Sequence, residues 1–271
     1  HSKMANNDLL VNNLFSVKDK VVVITGGARG LGLMIAQTFV DNGAKVIIAS
    51  RNAEQCEKSA QALSKRGSGS CYALSADLSK ESECKRLAEE IKKRETHVDV
   101  LINNSGAVWG EPIDNFSEGG WDKVMNLNLK GVFFFTKYLL PLLEKAYEKN
   151  KSPARVINIS SINSLNVPEL ETYSYSASKA GLNQLTRHLA GKLASRNILV
   201  NAIAAGPFET KMMDATLKTF GEYIVGSIPL KRIGKASDIG GTCVFLSSKA
   251  TEWMTGTIIP LEGGGLVKAS L

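Results

Sequence analysis

A phenol and an amine four residues apart offer a route for a proton. Tyr175-Ser176-Ala177-Ser178-Lys179 opens a predicted helix, and that spacing places both side chains on one helical face, one turn apart. A free tyrosine holds its proton to a pH of about 10, whereas a nearby ammonium favours the phenolate and draws the pKa toward a useful range. Tyr173 is a competing phenol, but its i+4 neighbour is Ala177 rather than a lysine. Upstream, Val156-Ile157-Asn158-Ile159-Ser160-Ser161 reads as a strand ending in two hydroxyls. Either hydroxyl can donate to a carbonyl oxygen and stabilise the charge growing on it, or merely satisfy loop backbone groups.

A second group of residues suits an anion. Val21-Val22-Val23-Ile24 leads into Thr25-Gly26-Gly27-Ala28-Arg29-Gly30-Leu31-Gly32 and directly into a helix. Glycines there allow a tight turn and close backbone approach, and the free N–H groups at the helix start favour a pyrophosphate. The spacing G-x-x-x-G-x-G is a dinucleotide fingerprint of a particular subtype, and no Lys-Ser or Lys-Thr follows it as a Walker loop requires. Where NAD-binding folds usually place an acidic residue, at the end of the second strand, this chain has Ser50 and Arg51. A guanidinium binds a 2′-phosphate bidentately where a carboxylate would repel it, and Arg29 adds a second cation, so NADPH is the expected cofactor. Arg51 also reads as a solvated loop residue.

These groups need a sheet edge to hold them. Short apolar runs recur at Val21 to Ile24, Lys45 to Ser50, Cys71 to Ala76, Val98 to Asn103, Arg155 to Ser160, Ile198 to Ala204 and Thr257 to Leu261. Between them lie amphipathic helix-length stretches at Leu33 to Asn42, Glu54 to Arg66, Lys80 to Glu95, Trp121 to Lys149 and Tyr175 to Ser195. Such alternation predicts an α/β fold, a Rossmann-like doubly wound sheet of about seven parallel strands with helices on both faces. Breaks at Gly67 to Ser70 and Asn150 to Pro153 are only loop-length, so residues 20–271 read as one catalytic domain after an extension over 1–19. Residues 207–235 are the least patterned and read as an insertion shaping the ligand crevice.

Composition narrows the partners. A net charge of +7 invites a nucleic-acid reading, but Lys85-Arg86, Lys92-Lys93-Arg94 and Lys149 to Lys151 sit among glutamates, as on solvated helix faces. No apolar run approaches the ~20 residues of a membrane span, and the start carries no signal pattern. His1-Ser2-Lys3 before Met4 reads as a tag remnant, and cytoplasm is the expected compartment. Cys56, Cys71, Cys84 and Cys243 form no C-x-x-C pair, which predicts reduced thiols and no metal.

Taken together, the motifs resemble those of the short-chain dehydrogenases/reductases from about Lys20 to Gly265. They are Thr25-Gly26-x-x-x-Gly30-x-Gly32, Asp77, Asn103-Asn104-Ser105-Gly106, Asn128-Leu129-Lys130-Gly131, Ser161, Tyr175-x-x-x-Lys179 and Gly206 through Thr210. The resemblance implies that Ser161 polarises a carbonyl, Tyr175 gives it a proton, and Lys179 binds the nicotinamide ribose while Asn128 anchors a water beside it. It implies cofactor contacts from Gly26, Arg29, Gly30, Leu31, Gly32, Ser50, Arg51, Asp77 and Leu78, with Asp77 at the adenine. Asn103, Gly106, Gly206, Phe208 and Thr210 would line the rest of the dinucleotide, Thr210 near the carboxamide. The resemblance also implies assembly as homotetramers or dimers, with dimer contacts on the long middle helices.

The chain departs from the family pattern at Ser105 (usually alanine), at Ala205 (usually proline), and in the fourteen-residue step from Ser161 to Tyr175, which leaves Ser160 as a second possible actor. Met254-Thr255-Gly256 and Ile259-Pro260-Leu261-Glu262-Gly263-Gly264 are similar to the branch of rhamnolipid-type β-ketoacyl reductases. Trp109, Ile162, Asn163, Leu165, Phe208, Met212 and Met213 are the expected substrate pocket, with core packing the alternative for each apolar one. The expected activity is NADPH-dependent reduction of a 3-oxoacyl or other ketone to a secondary alcohol. An NAD-dependent alcohol or polyol dehydrogenase and a catalytically silent dinucleotide sensor remain alternatives.

Overall fold

Runs of β-branched residues buried on both sides form the strands, as expected of parallel sheets covered on both faces. The computed structural model describes residues 9–210 and 213–267. Its strands are β1 (Val21–Thr25), β2 (Lys45–Ser50), β3 (Ser70–Ser75), β4 (Val100–Asn103), β5 (Ala154–Ser161), β6 (Ile198–Ala205) and β7 (Ile258–Leu261). They form one seven-stranded sheet in the order β3-β2-β1-β4-β5-β6-β7, every pairing parallel. The helices are α1 (Val11–Leu14), α2 (Gly30–Asp41), α3 (Ala53–Ser64), α4 (Glu81–Lys92), α5 (Glu118–Met125), α6 (Val132–Asn150), α7 (Tyr173–Leu193), α8 (Asp214–Ser227) and α9 (Ala236–Ser247).

Adjacent strand residues face opposite ways, so β1 feeds two cores. Val22 and Ile24 join Ile35, Phe39, Leu63, Ile239 and Leu246 from α2, α3 and α9. Val21 and Val23 join Leu87, Ile91, Phe135, Leu139 and Leu143 from α4 and α6. Each such side chain contributes about 1.5–3 kcal/mol on burial. The chain winds outward from β1 to β3 and returns to β4 on the other side of β1, which opens a crevice above the carboxyl ends of β1 and β4.

The helix predicted from Trp121 to Lys149 is three pieces. Between α5 and α6 the segment Asn126–Gly131 widens into a π-helix. It sets Gly131 against the Leu78 carbonyl, where a Cβ would approach to 2.2 Å. Helices α8 and α9 add to the sequence-based expectation, and α8 occupies the segment read as an unpatterned insertion. Phe208, expected in the pocket, is instead 3% exposed within the α2/α9 core and pairs its backbone with Gly234. A bulky aromatic gains more from that burial than from solvent.

At the opposite, amino end of the sheet lies a knot of charge. The buried Asp99 carboxylate accepts the Val21 amide at 2.7 Å and the Asn150 side-chain amide at 2.6 Å, with His97 Nε2 at 3.2 Å. Arg155, 1% exposed, donates to the Pro153 and Ser248 carbonyls and faces Glu252 at 3.7 Å. Burial lowers the Lys20 pKa there, against the opposing pull of Asp99. No described helix is long and apolar enough to cross a membrane.

Candidate active site

The crevice floor is built at the end of β1. Gly26 and Gly30 sit at φ +66° and +53°, where a side chain would be strained. A Cβ on Gly32 would fall 2.2 Å from the Gly26 carbonyl, so the turn closes this tightly only on glycine. Thr25, part of the motif but given no role from the sequence, locks the turn to the next loop. Its Oγ1 accepts the amides of Asn104 (3.0 Å) and Ser105 (2.9 Å), while Asn104 Nδ2 donates to the Thr25 carbonyl at 2.9 Å. A hydroxyl immediately before the first glycine was the available signal.

These residues fit a dinucleotide. Helix α2 has no side-chain cap, and its first backbone bond is from Leu33 to the Arg29 carbonyl. The amides of Gly30, Leu31 and Gly32 at this helix start therefore lack a backbone partner among the described residues, an arrangement that suits phosphate oxygens. Arg29 and Arg51 are exposed, and neither guanidinium has a partner among the described residues. Ser50 Oγ donates to the Asn52 carbonyl. Asp77 accepts from the Ser79 amide and hydroxyl, and Leu78 is buried beside it.

Two further expected cofactor residues are Asn103 and Thr210. Asn103 is 2% exposed, and its side-chain amide donates to Thr136 Oγ1 and Asn158 Oδ1 beneath the crevice. Its side chain is thereby committed to the strand core. Thr210 stands beside the glycine turn, its Cβ and Cγ2 3.4 Å from where a Gly30 Cβ would lie. Gly206 donates to Leu261 at the end of β7, and Gly106 faces Asn128 and Lys179.

Around the crevice the chemical groups converge. Lys179 is 4% exposed, donates to the Ile159 carbonyl at 2.7 Å, and holds its ammonium 5.7 Å from the Tyr175 ring centre. Burial lowers its pKa to about 8. Burial also pushes the Tyr175 phenol above the ordinary tyrosine range, and a hydrogen bond from Ser161 pulls the other way. This is opposite in direction to the lowering expected from Lys179: desolvation of the phenolate dominates, and the only opposing pull is that of Ser161. Asn128 is fully buried on the π-helical turn; it accepts the Ala107 amide (2.8 Å) and donates to the Ala107 carbonyl (2.9 Å) and Ser178 Oγ (3.1 Å).

The two strand-end serines separate by face. Ser161 Oγ accepts the Asn163 amide at 3.2 Å, which leaves its own hydrogen for Tyr175 or a carbonyl oxygen. Ser160 Oγ instead points at α7, toward the Lys179 carbonyl and Ser164 Oγ at 3.3 Å each. The competing phenol of Tyr173 is spent on Glu171 at 2.6 Å.

Of the expected pocket residues, Ile162 and Asn163 are half-buried in the turn after Ser161, Leu165 is exposed beyond it, and Met213 is half-buried at the start of α8. Met212 lies outside the described residues. Trp109 packs on α5, where a Gly120 Cβ would meet its indole, with the Lys123 ammonium 4.6 Å from the ring centre.

Comparisons with known proteins agree with this architecture. The family model described as enoyl-(acyl carrier protein) reductase matches residues 26–265. A rhamnolipids biosynthesis 3-oxoacyl-[acyl-carrier-protein] reductase from Pseudomonas aeruginosa is 39% identical over 92% of this chain and 97% of its own length. A 3-oxoacyl-[acyl-carrier-protein] reductase from Thermotoga maritima is 34% identical over 92% of this chain and 98% of its own. The structure of a Pseudomonas aeruginosa RhlG/NADP active-site complex superimposes with a TM-score of 0.89 at 39% identity, covering 94% of this chain and 99% of that one. With its parallel sheet, glycine turn and Ser161, Tyr175 and Lys179 gathered at one crevice, the chain belongs to the short-chain dehydrogenase/reductase family of oxidoreductases.

Proposed function

We propose that this protein reduces a ketone to a secondary alcohol, with NADPH as reductant and a 3-oxoacyl thioester as the favoured substrate class. The observation carrying the reading is a phenol and a buried ammonium one helical turn apart, the ammonium 5.7 Å from the centre of the phenol ring and bonded to the Ile159 carbonyl near the carboxyl edge of β5, where Ser161 ends the strand. The reductases named above act on 3-oxoacyl groups, and the similar Pseudomonas structure is an NADP complex, which supports both assignments. The amides of Gly30, Leu31 and Gly32 would hold the pyrophosphate, Arg29 and Arg51 the 2′-phosphate, Asp77 and Leu78 the adenine, and Lys179 the nicotinamide ribose. When bound, the reduced dinucleotide supplies a hydride to the carbonyl carbon.

The chain's own part is positioning and proton supply. Ser161 donates to the carbonyl oxygen, which stabilises the developing negative charge. Tyr175 donates its proton to the same oxygen. A phenol whose pKa is raised is protonated at neutral pH and is therefore ready to act as an acid in reduction. Asn128 holds Ala107 against Ser178 and thereby fixes the wall beside Lys179.

The test is steady-state reduction of a short 3-oxoacyl thioester and of a free β-ketoester with NADPH and NADH in parallel. NADPH is expected to give the higher kcat/KM. Equal or better turnover with NADH would remove the role given to Arg51, and no reduction of either ketone would sink the substrate reading. Cytoplasmic residence and assembly as a homotetramer accompany this proposal, the latter supported by an apolar surface of Met125, Leu129, Phe133, Phe134 and Leu185 on α5 to α7. A light-scattering mass of a single chain would contradict the assembly.

A further inference from the structure

Three links stitch the end of β5 to one side of α7. Lys179 Nζ donates to the Ile159 carbonyl, and Ser160 Oγ lies 3.3 Å from the Lys179 carbonyl. In the third link Ser164 Oγ donates to the Ser161 carbonyl at 2.5 Å and accepts from Asn183 Nδ2 at 2.8 Å. Asn183 follows Lys179 by one helical turn and Tyr175 by two, so all three look toward the same strand end.

Asn183 is 3% exposed, yet its Oδ1 has no hydrogen-bond partner among the described residues. An unpaired buried amide oxygen is costly, and a leucine of similar size would occupy the space without that cost. Stability therefore does not explain this side chain. What its other end does is hold Ser164, and through Ser164 the peptide carbonyl of the residue whose hydroxyl meets Tyr175. That residue is the last of β5, where ladder bonding ends and the chain turns into Ile162–Ser164. Its orientation needs a side-chain tether, because a hydrogen-bond donor misplaced by a fraction of an ångström loses much of its effect on the reacting oxygen.

We propose that Asn183 and Ser164 are positioning residues, which fix the Ser161 peptide so that its hydroxyl presents its hydrogen to the Tyr175 phenol in the free protein and to the substrate carbonyl once substrate is bound. The proposal rests on the ketone-reduction reading above. It treats the two residues as acting only through Ser161, which makes it separable from a general structural role.

Asn183→Leu, Ser164→Ala and Ser164→Thr are made in the wild-type chain and again in a Ser161→Ala chain, and reduction of a 3-oxoacyl thioester is measured with NADPH. In the wild-type background, Asn183→Leu and Ser164→Ala are expected to lower kcat on the order of 10-fold or more, with KM held within about twofold. Ser164→Thr restores the hydroxyl and most of the rate. In the Ser161→Ala background the same substitutions cause no further loss. A second readout needs no turnover. In protein labelled with ¹³Cζ-tyrosine and free of dinucleotide, the Tyr175 resonance, identified by its loss in Tyr175→Phe, shifts in Asn183→Leu and Ser164→Ala but not in Ser164→Thr.

Equal loss of rate in both backgrounds, or a Tyr175 resonance unmoved by both variants, overturns the proposal. If the wild-type chain reduces no ketone, the functional reading fails and the resonance alone decides this one. Should Asn183→Leu fail to fold, Ser164→Ala carries both measurements.

Discussion

The same low-polarity surroundings act oppositely on the two titrating groups of the site. Burial raises the Tyr175 phenol and lowers the Lys179 ammonium to about 8, since in each case it disfavours the charged form. The sign of the pH dependence follows. Below about 8 Lys179 is charged and Tyr175 is neutral, the states that reduction needs. As pH rises through that value the ammonium is lost first, so kcat/KM for ketone reduction should fall on the alkaline side of about 8. Tyr175→Phe should lower kcat on the order of 100-fold or more at any pH, while NADPH affinity, read by fluorescence titration, stays near the wild-type value. An alkaline limb absent from the wild-type profile would show that Lys179 is not the titrating group, and a Tyr175→Phe enzyme at full rate would show that the proton comes from elsewhere.

At the scale of elements, the glycine turn and α2 make one unit. A methyl group on Gly32 would meet the Gly26 carbonyl at 2.2 Å and Asn104 Nδ2 at 2.5 Å, so Gly32→Ala must open the turn and break its tie to the β4 loop. The expected cost is about 1–3 kcal/mol, read as a lower melting temperature, together with weakened NADPH binding. An unchanged melting temperature would show that the turn yields freely. The strands were legible because branched runs bounded by breakers have few other uses in a folded α/β chain. Helix α9 was not, since two adjacent glycines weaken a helical pattern, yet Gly240 lets the helix approach Thr38 of α2, where a Cβ would meet the threonine hydroxyl. The π-helical turn left no mark in the periodicity of residues 121–149. At the site, Tyr175 and Lys179 were readable from their spacing and Ser161 only through the family resemblance, and spacing does not reveal which way a side chain leaves a loop. Asn103 turns inward to Asn158, and Phe208 turns into the core, for reasons that lie in distant residues.

Across the whole molecule, chemistry and charge burial sit at opposite ends of the sheet. The crevice is at the carboxyl edge, while Arg155, Asp99 and Lys20 are gathered at the amino edge. Arg155→Ala would leave the Ser248 and Pro153 carbonyls short of a donor and open a void, at a cost of about 2–3 kcal/mol. Thermal denaturation should register that loss while KM for the ketone stays at the wild-type value; a changed KM would show that the two edges communicate. That separation bears on how such a chain can diversify. Loops at one rim are free to trade one substrate for another, since the ionic clasp that keeps β1, β4 and β5 in register is anchored at the far end of each strand and lies away from the crevice.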